Sequence, residues 1–368
     1  VDGYRASMEI ASQQMDSDAV EVDDTRLIGV AETALTGKGT EAAIDIFAPM
    51  VRDALTTVEP NVDQAGAEHI AMYKMAKGGL RDSHLIRGIA IRRRVQMDNF
   101  PNNLKNAKTA VLGGDIKIRK MTRNAEIQIT SAEQLDDFVE AESARKQELA
   151  KSLIDSGASL ILAGGEIDRD ILHDLADAGI LTVSDLDESE LDNAAAATGA
   201  TIIDSIIDVE PRDLGVAGSV QWERRQATDQ VEDVIIIDDC KNPAAVTLAI
   251  GGAGDTATEE IIRGLHDALR ATSIALEEGQ LLAGGGATHA RIANAVRKAS
   301  ESEPGRARLA MDAFARAMET VPATLADNSG KDPLDTVLEM RAAAREDSSN
   351  PQGVRADGEV GEVSGVWH

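Results

Sequence analysis

The residues of this chain that could do chemistry lie between Leu265 and Ala287, where one acid is followed by three glycines. Asp267 falls on a helix predicted from about 256 to 277, roughly 200° around the helix from the apolar Leu265. Gly284–Gly286 directly precede a second predicted helix, whose first N–H groups have no partner within the helix. A carboxylate near such a turn indicates a possible nucleotide site. Taken alone, the same residues are also explained by a solvated acid and a tight turn between helices.

Other candidate reactive groups are few. Lys38 lies near the centre of a glycine-bearing loop, Ala34–Thr40, between two predicted helices. Cys240 follows the apolar run Val234–Ile237 and two acids, so a buried thiol is favoured over a nucleophile, which needs a positive setting. The six histidines form no HxxH or HExxH pair, and the sequence predicts no metal site.

Composition restricts the class of protein. A chain of 368 residues is long enough for two or three domains, and 43% hydrophobic residues with 27% charged ones are typical of a globular protein. The net charge of −27 and 2% aromatic residues favour adaptation to high salt over an ordinary acidic protein. Such a surface disfavours nucleic acid as a partner. No apolar run has the length of a membrane span, no signal peptide is recognisable, and one cysteine indicates a reducing compartment.

Periodicity predicts helices at both ends and an α/β region between them. Residues 1–58 and 255–348 have helical spacing, and the last twenty residues are predicted to be a loop. Strands are expected at 86–95 (a strand or hairpin), at 107–114 and 125–129, and in SVQWERR (219–225) and EDVIIIDD (232–239). A helix is expected at 131–156, with only its second half buried. Strands and helices alternate over 158–204, which predicts parallel strands with crossover helices.

This order predicts a middle α/β domain inserted into a helical body, because neither helical end has enough apolar surface for a core of its own. The turn at Gly164 lacks the GxGxxG spacing of a dinucleotide-binding enzyme. An unrelated α/β enzyme therefore remains the least favoured alternative.

Several segments, in order, resemble the group II chaperonins, the thermosome subunits of archaea and their cytosolic eukaryotic relatives. The segments are DGYRASMEIA, ALTGKGTEAA, GGLRDSHLIRGIAI, NAEIQI, SGASLILAGGEID, CKNPAAVTLAIGGAGD, LHDALRATSIALEEGQLLAGGGA and METVPATLADNSGKDPLDTVLEMRAA. Each is weak alone, but their order along nearly the whole chain is specific. The chain is identified as a member of this family, haloarchaeal-like and truncated at both ends.

The resemblance implies a multi-domain α/β fold. It consists of a helical equatorial remnant and an intermediate domain, both discontinuous, and an inserted α/β apical domain that carries a helical protrusion at about 125–150. The implied domains are equatorial (1–20 and 273–368), intermediate (21–79 and 233–272) and apical (80–232).

The resemblance also implies an activity: ATP-dependent folding of unfolded proteins inside a cytoplasmic double ring with a built-in lid. Unfolded clients and homo- or hetero-oligomeric ring subunits are the expected partners, with neither nucleic acid nor membrane. Asp267 resembles the carboxylate that orients the attacking water, and Lys38 the lysine that reaches the γ-phosphate. Gly284, Gly285 and Gly286 resemble the glycines that pack against the nucleoside.

The departures from the family are equally specific. The family's GDGTTT phosphate loop and NDG turn, which help to hold phosphates and Mg²⁺, precede GYR and are missing here. Gly365 stands where the family has an acid that contacts the nucleoside, and His289 where it has a glutamate. A truncated, diverged paralogue that binds unfolded protein or ring partners without hydrolysing ATP is therefore the alternative to a working ATPase subunit.

Overall fold

The computed structural model describes residues 1–118, 132–226, 231–252, 254–345 and 351–368. It divides into two compact units: unit 1 contains residues 1–52 and 259–368, and unit 2 contains residues 53–258. The chain passes from one unit to the other within helices α3 and α7, whose bounds are given below. The predicted insertion of an α/β region into a helical body built from both chain ends is confirmed. The finer domain boundaries implied by the resemblance stay a prediction.

The amino-terminal part is helical, as predicted. It contains α1 (Asp2–Asp18), β1 (Val20–Glu21), α2 (Asp24–Leu35) and α3 (Ile44–Val58). Asp23 begins α2, because its carboxylate accepts the N–H of Arg26 at 2.8 Å. Leu27, Val30, Ala31 and Leu35 follow at helical spacing and form the buried face of α2.

In its described residues, unit 2 contains two β-sheets and three complete α-helices. In chain order its elements are β2 (Ile70–Lys74), β3 (His84–Ile86), β4 (Ile89–Arg92), β5 (Asn103–Leu112), α4 (Ala132–Asp155), β6 (Leu160–Ala163), α5 (Arg169–Asp177), β7 (Leu181–Val183), α6 (Glu188–Thr198), β8 (Ile202–Ile203), β9 (Gly215–Gln226), β10 (Val231–Asp238) and β11 (Val246–Ile250). The predicted alternation over 158–204 is confirmed.

The larger sheet has the order β4-β10-β9-β5-β6-β7, with β8 also paired to β5. β5, β6 and β7 are parallel, as the alternation predicted, whereas β4, β10, β9 and β5 are successively antiparallel. The smaller sheet has the order β2-β11-β3. β3 and β4 therefore belong to different sheets, and the hairpin reading of residues 86–95 is wrong.

Helix α4 is buried only in its second half, as predicted. Leu149, Ala150 and Leu153 are in the core beside α5, whereas Phe138 and Val139 are exposed. The helix stops before Gly157, whose φ of 79° ends it in the left-handed region. The strand predicted at 125–129, the Ser131 cap and the beginning of the predicted protrusion lie outside the described residues.

The carboxyl-terminal part contains α7 (Asp255–Glu278), β12 (Gln280–Leu281), α8 (Ala287–Ser300), α9 (Arg306–Met318), α10 (Thr320–Asn328), α11 (Pro333–Arg345), β13 (Gln352–Val354) and β14 (Val360–Glu362). β1 and β12 pair antiparallel. Among the described helices, none is long and apolar enough to cross a membrane.

The prediction of a loop over the last twenty residues is wrong. β13 and β14 form an antiparallel hairpin, closed at Gly358 with a φ of 79°. Val354, Val363 and Trp367 are buried. The segment is polar in composition, but its few apolar side chains are buried against the rest of unit 1.

Candidate functional site

Lys38 and Asp267 form a direct ion pair. Lys38 follows α2 in the turn that leads to Thr40, and Asp267 lies on the outward face of α7, as the helical periodicity predicted. Their Nζ and Oδ2 atoms are 2.7 Å apart, with the lysine side chain 32% exposed and the aspartate 60% exposed. The pair is therefore open to a ligand from solvent.

The loop that carries Lys38 is anchored beneath the pair. Thr40 is buried and donates its hydroxyl to the Leu35 carbonyl at 2.9 Å. Gly264, one turn before Asp267 on α7, lies under this loop, where an added Cβ would be 3.1 Å from the Thr40 methyl and 3.6 Å from Lys38 Cδ. A side chain at position 264 would therefore push the lysine loop away from α7.

The electrostatics favour an ionised Asp267. Its pKa is lowered, chiefly by the hydrogen bond from Lys38 and further by the charges of Lys38, Arg263 and His266. Because both side chains are partly solvated, the net stabilisation by the pair is only about 0–1 kcal/mol. A more highly charged anion, such as a terminal phosphate, could therefore compete with Asp267 for the lysine.

The glycine turn lies at the amino terminus of α8, where the sequence predicted it. Gly285 and Gly286 have φ values of 60° and 75°, which side chains other than glycine adopt with strain. An added Cβ at Gly286 would be 2.8 Å from Pro322 Cβ, and one at Gly284 would be 2.6 Å from Val366 Cγ1. These glycines are thus required by close packing within the chain itself.

The segment that ends the chain covers this turn. Leu282 and His368 exchange backbone hydrogen bonds of 2.8 and 2.9 Å, and the Gly284 N–H donates to the Val366 carbonyl at 2.8 Å. The Val354 N–H donates to the Gly285 carbonyl at 2.8 Å. The structure therefore brings Lys38 to Asp267, whereas the contacts of the glycine turn are with Pro322 and the carboxyl-terminal segment.

A cleft of about 670 Å³ opens in unit 1. It is lined by residues from the end of α1, from α2, from the start of α8 and from the carboxyl-terminal segment, among them Asp18, Asp23, Arg26, Gly29, Glu32, Thr288, Arg291, Gly365 and Trp367. Its volume lies within the range of small-molecule sites. Helix α2 lines this cleft and ends just before the Lys38 loop, so the same helix positions residues of the cleft and the loop that carries Lys38.

Sequence reasoning missed the charged groups of this cleft. Asp18 and Arg291 form an ion pair of 2.7 Å, and the Arg26 guanidinium lies 5.4 Å from the centre of a Trp367 ring. These partners come from opposite ends of the chain, and no local motif marks them. Gly365, which the sequence did single out, lines the same cleft, and a Cβ at that position would meet nothing within 4 Å.

The remaining reactive groups are a cysteine and two histidines with shifted pKa values. Cys240 is buried, and desolvation together with Asp238 and Asp239 raises its pKa to about 12, so the favoured reading of an inert thiol is supported. His289 and His368 have lowered pKa values because they are partly buried, and the charge of His368 adds to the effect on His289. Among the described residues, no group of three or more His, Cys, Asp or Glu could hold a metal ion.

Comparison with known proteins places the chain in a family. Residues 1–367 match the TCP-1/cpn60 chaperonin family. Thermosome subunit beta of Methanothermobacter thermautotrophicus is 35% identical over 345 residues, which cover 94% of this chain and 63% of that protein. Thermosome subunit 1 of Haloferax volcanii is 33% identical over 343 residues, which cover 92% of this chain and 60% of that protein.

A solved structure agrees with these relatives. The open-state monomer of a group II chaperonin from Methanococcoides burtonii superposes with a TM-score of 0.67 and 26% identity, covering 100% of this chain and 86% of that one. This chain spans less than two-thirds of the length of the two curated relatives named above. It belongs to the TCP-1/cpn60 chaperonin family and, within that family, to the group II chaperonins.

Proposed function

We propose that this chain is a subunit of an ATP-driven, ring-forming chaperone, with nucleotide hydrolysis centred on Asp267. The observation that carries the proposal is the ion pair of 2.7 Å between Lys38 and Asp267, which joins the two residues to which the family resemblance assigns the γ-phosphate and the water. Unfolded proteins as clients, ring partners of the same or a related chain, and a cytoplasmic location follow from the family and are part of the proposal.

The pair suggests how hydrolysis is coupled to nucleotide arrival. Lys38 holds Asp267 as a weak base, because its hydrogen bond lowers the carboxyl pKa. When Lys38 turns to a terminal phosphate, the carboxylate loses that hydrogen bond and becomes a better acceptor for a proton of water. Asp267 thus orients and activates water only when the lysine is engaged elsewhere.

Mg²⁺ neutralises phosphate charge in reactions of this kind. The family resemblance places the groups that help to hold this ion before GYR, and among the described residues no group of three or more His, Cys, Asp or Glu could hold a metal ion. We therefore assign no residue of this chain to the metal. The proposed nucleoside contacts are the glycine turn Gly284–Gly286 and the cleft bordered by Gly365.

Phosphate release by the purified chain in molar KCl with Mg-ATP tests the proposal. Asp267→Ala should abolish release and leave ATP binding intact, because the water-orienting carboxylate is lost while the lysine remains. Glu278→Ala is the matched control, since Glu278 is an exposed acid at the end of the same helix. Unchanged turnover in the Asp267 variant would remove Asp267 from the mechanism.

The second candidate is a module that binds unfolded protein without hydrolysing ATP. Two observations favour it: Gly365 offers no side chain to the cleft, and the glycine turn is covered by the chain's own carboxyl-terminal segment. Suppression of client aggregation without phosphate release would support this candidate. The same assay with Phe138 and Val139 replaced by serine tests whether the predicted protrusion at about 125–150 binds the client, because both side chains are exposed.

A further inference from the structure

Asp18 is a buried acid at the end of α1 that is only half satisfied. Its side chain is 6% exposed and lines the 670 Å³ cleft. Oδ1 lies 2.7 Å from an Arg291 guanidinium nitrogen and accepts a hydrogen bond of 2.9 Å from the Gln14 amide. Oδ2 is buried and has no hydrogen-bond partner among the described residues.

An unpaired carboxylate oxygen at such a depth is costly, since buried polar atoms nearly always have a partner. Asp23, the other aspartate that lines the cleft, has partners for both of its carboxylate oxygens. Asp23 caps α2 through Oδ1 and pairs with Arg26 through Oδ2 at 2.7 Å. Of these two aspartates, Asp18 is the one with a carboxylate oxygen that has no partner among the described residues.

The surroundings of Asp18 indicate what kind of donor it would accept. Arg291 already balances the charge of the carboxylate, so a cationic ligand would add a second positive charge beside the guanidinium. A neutral donor such as a hydroxyl completes the carboxylate without that repulsion. Carboxylates bind the ribose hydroxyls of nucleotides in just this way in other folds.

Another part of the cleft lining leaves room for such a ligand. Gly365 presents only backbone there, and the space that its side chain would fill is open. Arg26 is held by Asp23 and by the Trp367 ring, so it is fixed at the edge of the space. The cleft therefore combines an empty volume with two paired arginines, Arg26 and Arg291, and one unsatisfied acceptor.

We propose that Asp18 Oδ2 accepts a hydrogen bond from a ribose hydroxyl of a nucleoside bound in this cleft, and that Arg291 positions Asp18 for this contact. The proposal rests on the proposed function, because it assumes that the cleft receives the nucleoside end of ATP. It makes Asp18 a specificity-determining residue that no motif in the sequence reveals.

The test is calorimetric titration of the full 368-residue chain with adenosine and with 2′,3′-dideoxyadenosine. Adenosine carries no phosphate, so the result is independent of Lys38 and Asp267. Wild type should bind adenosine roughly tenfold or more tightly than the dideoxy compound, as expected for a hydrogen bond to a charged group. Equal affinities in wild type would overturn the proposal.

Variants identify the residue responsible. Asp18→Leu should bring the affinity ratio to about one, whereas Asp16→Ala, an exposed acid on the same helix, should leave it unchanged. Asp18→Asn keeps the shape and an acceptor for Arg291, and it should reduce the ratio several-fold even where the leucine variant fails to fold. A wild-type ratio in Asp18→Asn and Asp18→Leu would overturn the role of Asp18.

The same titrations separate this inference from the proposed function. Loss of phosphate release with a normal adenosine preference would refute hydrolysis and leave the Asp18 contact standing. Normal phosphate release with no discrimination between the two nucleosides would refute the Asp18 contact alone. No binding of either nucleoside at millimolar concentration would refute the contact and the assignment of the cleft to the nucleoside.

Discussion

Lys38 Nζ lies 2.7 Å from Asp267 Oδ2 although 229 positions separate the two residues in the chain. Replacing Lys38 by methionine should raise the Asp267 pKa towards the ordinary carboxyl range, because the hydrogen bond that chiefly lowers it is removed. Carbon-13 NMR titration of the side-chain carboxyl measures the shift. Lys298→Met, at an exposed lysine of α8, is the control and should leave the Asp267 titration unchanged. An Asp267 pKa that stays low in the Lys38 variant would show that the pair is not formed in solution.

Glu319 is expected to be the most costly single acid to neutralise in unit 1. Its side chain is 6% exposed and accepts hydrogen bonds from Arg297 (2.6 Å) and Arg341 (2.7 Å). Glu319→Gln should reduce the free energy of unfolding by about 2–4 kcal/mol, since it leaves two guanidinium groups without their counter-charge. Urea unfolding measures the loss, and Glu301→Gln, at an exposed acid, should change it by less than about 0.5 kcal/mol.

Because of Glu319, we expect the free energy of unfolding to fall at acid pH. Burial alone would raise the Glu319 pKa, but the hydrogen bonds from Arg341 and Arg297 outweigh burial and lower it to about 2. Because the folded pKa lies below the unfolded one, the stabilisation is complete above about pH 4.5 and is lost as the pH falls towards 2. Unfolding free energies measured across this range should fall less steeply in Glu319→Gln than in wild type. Parallel curves would contradict the assignment.

Cys240 should be inert in the native protein. Burial and two neighbouring acids raise its pKa to about 12, so little thiolate is present at pH 8. Iodoacetamide labelling followed by mass spectrometry should show slow modification of the folded chain and rapid modification in urea. Rapid labelling of the folded chain would mean that the strand end around Asp238 opens readily.

Gly29 should resist replacement by alanine although it lies inside a helix. Alanine normally stabilises a helix interior by about 1 kcal/mol relative to glycine. Here the added Cβ would lie 2.8 Å from Trp367 Cδ1 and 3.0 Å from the Gly365 carbonyl, so α2 or the carboxyl-terminal segment must move. We expect a net loss of about 1–3 kcal/mol by urea unfolding, as for an overpacked core. In a Trp367→Leu background the penalty should shrink, and an equal penalty in both backgrounds would exclude the indole as its cause.

Stability should rise with salt. With a net charge of −27, the acidic side chains repel one another at low ionic strength. Salt weakens this repulsion, because the Debye length shrinks from about 10 Å at 0.1 M to a few ångströms at molar concentrations. The melting temperature should therefore increase between about 0.1 M and 2 M KCl. A flat or falling Tm would favour the ordinary acidic protein over the salt-adapted one.

The sequence predicted the features that depend on local periodicity. Helical spacing identified α7 and placed Asp267 on its outward face, and the alternation over 158–204 identified the parallel strands. The roles proposed for Lys38 and Asp267 came from the family resemblance, since a lysine in a glycine loop and a surface acid have no local property that joins them.

Features that depend on distant pairing were not predictable. The last twenty residues are short of apolar side chains, and their attachment to the rest of unit 1 depends on distant backbone contacts such as the one between Gly284 and Val366. Asp18 and Arg291 lie near opposite ends of the chain, so their contact carries no spacing signal. Local sequence patterns predict neither the backbone contacts of the last residues nor the ion pair between Asp18 and Arg291.

The division of unit 1 between the two ends of the chain also determines the order of folding during synthesis. Residues 1–52 leave the ribosome before the residues they pack against, which begin at 259. At about 5–20 residues per second, the intervening stretch takes roughly 10–40 s to translate. Unit 2 is continuous and can complete its sheets in that interval. The helices of residues 1–52 meanwhile wait with their apolar faces uncovered, so these faces need protection from aggregation during translation.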